Sequence, residues 1–282
     1  MGRDEGCRIP VGLVRTDHAE RSVFQPESLL REARRQRRRD EQPIPDVCLL
    51  DPDGDVVRWL QQTGRGRRLE TWACYHTELR ETEIAGIPVG VIGNAVGAPF
   101  AALVAEELFA SGCGLVVSVT SAGQLDSAMT LPSTILVDRA LRGEGTSYGY
   151  LPPARYAVGD DHLLEAVAKE LRCANIEVIR GGTWTTDVPF RETRSALDAA
   201  AAEGLKAVEM EVAGLYAFAQ ARRKPVVCCA LVTNQMAQSG DDFEKGPDQG
   251  ANHALSLTAA AARGWRAVRA ASGIEIGNGE TA

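Results

Sequence analysis

Two carboxylates one residue apart, Glu209-Met210-Glu211, stand where the apolar run Ala207-Val208 gives way to the helical pattern of Leu215, Tyr216 and Phe218. Carboxylates beside buried segments need hydrogen-bond partners to hold their charge. At such a junction they either cap the helix against its dipole or belong to a ligand site at the strand end. Three further stretches combine glycines with small donors: Gly93-Asn94-Ala95-Val96-Gly97-Ala98-Pro99, Thr120-Ser121-Ala122-Gly123 and Gly181-Gly182-Thr183-Trp184-Thr185-Thr186-Asp187. The hydroxyls of Thr120 and Ser121 and the backbone around Gly97 and Gly123 are suited to holding an anion or a water.

Short apolar runs alternate with longer alanine- and leucine-rich segments, the pattern of strands joined by crossover helices. It predicts a single α/β domain over 45–271, with a central mixed, twisted sheet flanked by helices, a charged N-terminal arm over 1–44 and a glycine-rich flexible tail over 272–282. Strands are expected at Val47–Leu50, Pro88–Ile92, Leu115–Val119, Thr134–Val137, Glu177–Ile179, Ala207–Glu209 and Val226–Val232. Helices are expected at Ala98–Ala110, His162–Cys173, Arg191–Ala202, Val212–Ala221 and Asn252–Ala271. Ligands of such sheets gather at the carboxyl ends of parallel strands, where the four polar stretches fall.

The 282 residues are 44% hydrophobic, enough to bury a large core, and carry a formal charge of -7. That balance, with a pI near 5.3, argues against a nucleic-acid partner, which needs a basic surface. The exception is the cluster Arg31, Arg34, Arg35, Arg37, Arg38 and Arg39, read as a solvated helix or arm rather than an anion contact. Seven cysteines lie in no C-x-x-C pair, and His18, His76, His162 and His253 lack ligand spacing, so no disulfide framework and no metal site are expected. No signal-like or membrane-spanning run appears, which points to a cytoplasmic protein without membrane contact.

The polar stretches, in their order, resemble those of the nucleoside phosphorylase family, which includes uridine phosphorylases, purine nucleoside phosphorylases and methylthioadenosine nucleosidases. Val208-Glu209-Met210-Glu211-Val212-Ala213-Gly214-Leu215-Tyr216 is similar to the family's ribose-binding signature. Gly93–Pro99 resembles the turn before its first long helix, and Ser118–Leu125 its phosphate-side loop. Arg142–Pro153 and Thr183–Thr193 resemble one branch of the family.

The resemblance implies cleavage of a nucleoside's N-glycosidic bond, with Glu211 accepting hydrogen bonds from the ribose 2′- and 3′-hydroxyls and Met210 against the sugar face. Breaking that bond builds positive charge on the sugar, which a carboxylate orients and stabilises. Trp184 falls where the family sets an aromatic against the base, although an aromatic after Gly-Gly serves a core equally well. Asp187 and Arg191 lie in the segment expected to cover the base, with helix capping or a surface ion pair as the alternative. No cofactor is implied beyond phosphate as a possible co-substrate. The partner implied is a small-molecule nucleoside, in a homo-oligomer, dimer or hexamer, whose neighbouring chain closes part of each site.

Four positions depart from the family's pattern. Ser118 stands where phosphorolytic members carry an arginine, and Asp51-Pro52-Asp53-Gly54-Asp55 brings three acids that repel phosphate. The place of a neighbour's arginine falls near Tyr75-His76, leaving His76 to act on the nucleophile or to be structural. In place of a purine-protonating aspartate the chain has Thr233-Asn234-Gln235. Asparagine is no general acid, but Asn234 and Gln235 can read a pyrimidine's carbonyl and N–H. Three readings follow: phosphorolysis, hydrolysis, or nucleoside binding as a sensor without turnover.

Overall fold

The computed structural model describes residues 17–235, 243–246, 248–271 and 273. Of the expected tail only Gly273 falls within these residues, and the first sixteen positions of the arm lie outside them.

In chain order the elements are α1 (Pro26–Arg37), β1 (Val47–Asp51), α2 (Asp55–Thr63), β2 (Arg67–Arg68), β3 (Arg80–Ile84), β4 (Ile87–Gly93), α3 (Ala98–Ala110) and β5 (Leu115–Gln124). There follow β6 (Ser133–Gly143), α4 (Ser147–Tyr150), β7 (Tyr156–Val158), α5 (Asp161–Cys173), β8 (Ile179–Thr186), a 3-10 turn (Pro189–Arg191), α6 (Arg194–Ala202), β9 (Ala207–Glu209), α7 (Val212–Arg222), β10 (Val226–Asn234) and α8 (Ala251–Ala271). All ten strands join one mixed sheet. β5, β10, β6, β8 and β9 pair in a closed ring, and β1, β4, β3 and β2 extend from β5 as an open wing. β1, β4, β5 and β10 run parallel, so their carboxyl ends open on the same side.

The period of two along β1 divides the core. Val47 and Leu49 pack with residues of α2, α5 and α8, and Cys48 and Leu50 pack with residues of α3 and α7 on the opposite face. Every residue of α7 from Val212 to Phe218 is buried, as befits a helix apolar all round. Tyr216 satisfies its one polar atom by donating to the Val137 carbonyl at 2.5 Å. At the start of α7, Gly214 lies against Ala98 of α3; a Cβ there would come within 2.7 Å of the Ala98 Cβ. This close approach fixes the distance between the two helix N-termini that frame the site.

Several elements differ from the sequence expectation. The strand expected at Glu177–Ile179 begins at Ile179 and runs to Thr186, because the β-branched and aromatic run Thr183-Trp184-Thr185-Thr186 continues the pleat through a Gly-Gly pair that reads locally as a turn. Thr120–Gly123 likewise belongs to β5 rather than to a loop. The helix expected from Arg191 begins at Arg194, with Thr193 as its cap.

The arm contains a helix, α1, whose Leu30 and Ala33 pack on Ala73 and Ala110. The arginine cluster ties this helix down: Arg37 donates to the Cys74 carbonyl at 2.8 Å, Arg39 to the Trp72 carbonyl at 2.6 Å, and Arg34 pairs with Glu41. Among the described residues no helix is long and apolar enough to cross a membrane, and no group of His, Cys, Asp and Glu is arranged to hold a metal.

Candidate active site

Glu209 and Glu211 lie at the junction of β9 and α7, 3% and 1% exposed. One residue apart and equal in chemistry, they differ in their partners. Glu209 Oε1 accepts from the Thr183 and Thr185 hydroxyls at 3.0 and 2.5 Å, and Oε2 accepts from the backbone N–H groups of Glu211 and Val212 at 2.7 Å each. A carboxylate has about four lone-pair positions, and Glu209 has all of them taken. It caps α7 and anchors the turn that carries Glu211.

Glu211 accepts one donor per oxygen. The Gly97 N–H reaches Oε1 at 2.7 Å and the Thr120 hydroxyl reaches Oε2 at 2.7 Å. Among the described residues no further hydrogen bond reaches it, which leaves two lone-pair positions. Gly97 sits at φ +87°, in a backbone region that only glycine adopts without strain, and this conformation aims its N–H at the carboxylate from the head of α3.

Burial pushes the Glu211 carboxyl up to about 7, and the neighbouring charge of Glu209 adds to the effect; the bonds from Gly97 and Thr120 oppose it. Burial raises Glu209 as well. Its four donors favour its charged form, so Glu209 holds the negative charge and Glu211 titrates against it.

A second cluster meets the first through consecutive residues of β5. Next to Thr120, the Ser121 N–H and hydroxyl both donate to Asp53 Oδ2, at 3.2 and 2.5 Å. Lys245, from the connection between β10 and α8, brings its ammonium to the same oxygen at 2.9 Å and to Asp55 Oδ2 at 2.6 Å. Arg58 pairs with Asp55 from the other side. Asp51, at the end of β1, is 3% exposed and accepts the Val57 N–H at 3.1 Å; burial raises its carboxyl to about 6.

The remaining expected residues spread outward. Asn234 is buried at the end of β10 and its amide donates to the Ala122 carbonyl at 3.1 Å, while Gln235 beside it is exposed. Met210 and Trp184 are half-buried, and Trp184 lies over Gly143, where a Cβ would meet its indole nitrogen at 2.2 Å. Asp187 is exposed and accepts the Gly145 N–H at 3.0 Å, and Arg191 is exposed at the end of the 3-10 turn. His76 is exposed with its ring against Phe100 in the first turn of α3, and no described hydrogen bond joins it to Glu211, Thr120 or Ser121. Ser118 is fully buried beside Leu50 and Cys228 in the sheet register, its hydroxyl without a hydrogen-bond partner.

Sequence reasoning missed Lys245 and the pair Thr183 and Thr185. The threonines carried a signal, their alternation along a β-prone run, whereas Lys245 carried none, because its partners lie 190 and 192 positions away.

A ring-closed mixed sheet brings paired acids, small hydroxyl donors and a helix N-terminus together at strand ends, in a single α/β domain. Known proteins narrow the class. Residues 46–269 match the family model described as the phosphorylase superfamily, and the chain belongs to that superfamily. It is 25% identical over 217 residues to a uridine phosphorylase from Thermococcus kodakarensis, covering 67% of this chain and 78% of that protein. It is 28% identical over 213 residues to a guanosine phosphorylase from Halorubrum lacusprofundi, covering 69% of this chain and 88% of that one. The fold matches a crystal structure of an AMP nucleosidase from Bacteroides thetaiotaomicron with a TM-score of 0.67, at 21% identity over 88% of this chain and 100% of that one. The protein is thus an enzyme of the phosphorylase superfamily, whose matched relatives are named as nucleoside phosphorylases.

Proposed function

We propose that this protein binds a nucleoside and breaks the bond between its base and its sugar, with Glu211 holding the ribose 2′- and 3′-hydroxyls. The observation that carries this reading is the division of donors between the two buried acids: Glu209 is saturated by four, whereas Glu211 keeps one lone-pair position on each oxygen. Two adjacent free acceptor positions match two vicinal hydroxyls. Positive charge that develops on the sugar as the base departs is stabilised by the same carboxylate, fixed beforehand by Gly97 and Thr120. Met210 adjoins the sugar. Asn234 and Gln235 face the base from the end of β10, Trp184 packs against it, and Asp187 and Arg191 border its entrance. The protein works as a homo-oligomer in the cytoplasm, needs no metal or cofactor, and engages neither nucleic acid nor membrane.

Incubation with a panel of purine and pyrimidine nucleosides, with free base followed by chromatography, tests the reading. Base release from at least one ribonucleoside is the expected result. Saturable nucleoside binding with no release from any of them would instead make the protein a sensor.

A further inference from the structure

The Asp53 carboxylate occupies a position that three donors have built. The Ser121 N–H, the Ser121 hydroxyl and the Lys245 ammonium converge on the single oxygen Oδ2 at 3.2, 2.5 and 2.9 Å. A backbone N–H, a hydroxyl and an ammonium around one oxygen are the donor set of an oxyanion cradle. Lys245 is largely withdrawn from solvent, its side chain 12% exposed, so its charge is not spent on water. The four ionised groups Asp53, Asp55, Arg58 and Lys245 sum to zero, and without Asp53 they would carry one positive charge.

We propose that Asp53 is an internal anion filling an oxyanion cradle formed by Ser121 and Lys245, and that this residue selects water over phosphate as the acceptor of the cleaved sugar. The proposal rests on the nucleoside-cleaving reading and extends it to the acceptor. The cradle lies near the sugar end, close enough for the charge of Asp53 to act on Glu211, and Thr120 and Ser121 reach the two acids from consecutive positions of β5. A phosphate entering here would have to displace a carboxylate already holding three donors, against the charge of Asp55. Water carries no such penalty. In the resulting step a water oxygen bonds to the sugar C1′, the C1′–N bond breaks with its electron pair going to the base, and a proton lost by the water balances the one the base takes up. The products are free base and free sugar. Lys245 acts through Asp53 and Ser121, as a positioning residue.

The test reads phosphate binding directly, without a nucleoside. Wild-type protein, Asp53→Ala, Asp53→Asn and the double variant Asp53→Ala/Lys245→Met are titrated with inorganic phosphate by calorimetry and thermal shift, after circular dichroism shows which of them fold. Asp53→Ala is expected to bind phosphate at least about tenfold more tightly than wild type, and Lys245→Met to cancel that gain. Asp53→Asn, which removes the charge at nearly constant shape, shows a smaller gain and stands in should the alanine variant not fold. With an active substrate, wild type yields free sugar whether or not phosphate is present, and Asp53→Ala yields sugar 1-phosphate in its presence. Folded Asp53 variants that gain no affinity for phosphate, or a wild type that binds it as tightly as they do, would overturn the proposal. Because binding is read apart from turnover, an inactive wild type would remove the nucleoside-cleaving reading and leave the cradle result standing.

Discussion

The sugar end and the acceptor end of the site share one strand and solve the problem of buried charge in opposite ways. Around Glu209 and Glu211 every donor is neutral, from threonine hydroxyls and backbone N–H groups, and both acids are almost fully buried. Around Asp53 and Asp55 the balancing charges are ions, Lys245 on both and Arg58 on Asp55, and the Asp53 side chain is 34% exposed. Neutral donors hold a carboxylate in place without cancelling its charge, so the sugar end keeps a negative potential for a cationic transition state. Ionic partners cancel charge, so Lys245 and Arg58 offset Asp53 and Asp55. The difference teaches that acids in one site need not share a role: Glu209 caps α7, and in the proposed reading Glu211 grips the sugar and Asp53 fills the cradle.

The largest effect is expected at the sugar end. Glu211→Ala should lower kcat/KM by about a hundredfold to a thousandfold, on the order of 3–4 kcal/mol of transition-state stabilisation, with the fold retained by circular dichroism. The ionised form accepts the hydroxyls, so kcat/KM of the wild type should rise as pH increases through about 7. Glu211→Gln should flatten that limb. Stability runs the other way. The folded chain keeps the Glu211 proton up to about 7, well above the 4.5 of an unburied glutamate, so the associated stability is fully present below 4.5 and is lost as pH rises through 7. A melting temperature that climbs between pH 5 and 8 would contradict the burial of this acid.

Glu209→Ala comes next, and it separates capping from gripping. Four donors would lose their acceptor in the interior, which should destabilise the fold by about 3 kcal/mol or more in chemical denaturation. A purely catalytic loss without destabilisation would place Glu209 on the substrate instead. Gly214→Val should cost about 1–3 kcal/mol and weaken nucleoside binding, because the added carbons wedge α7 from Ala98 and draw Gly97 away from Glu211. The smallest effect belongs to the arm: Arg37→Ala removes the tie from α1 to the Cys74 carbonyl and should lower stability by about 1 kcal/mol while sparing kcat.

Much of the sugar end was legible in the sequence because its parts are local. Ala207–Glu209, the acids and the helix that follows are contiguous, and an apolar strand running into an apolar helix leaves a polar turn only one place to be. Gly97 was legible through Pro99, which marks a helix start. Thr183 and Thr185 were not, because the glycine pair before them reads as a turn until the neighbouring strands β6 and β9 supply its hydrogen bonds. Helix α1 was obscured by its arginines, whose tethering role depends on carbonyls at 72–74 that no periodicity reveals. At the proposed acceptor end the three acids were visible, with the expectation that they repel phosphate. What they do instead depended on Ser121 and Lys245, which meet Asp53 only in the folded chain.

The central claim, that Glu211 holds the sugar through its two free acceptor positions, is tested most directly by a double cycle of kcat/KM. A cleaved ribonucleoside and its 2′-deoxy counterpart are compared on wild type and on Glu211→Ala. The account predicts that removing the hydroxyl slows the wild type by about tenfold or more and leaves Glu211→Ala almost unchanged, because the interaction is already gone. Equal losses on both proteins would contradict it.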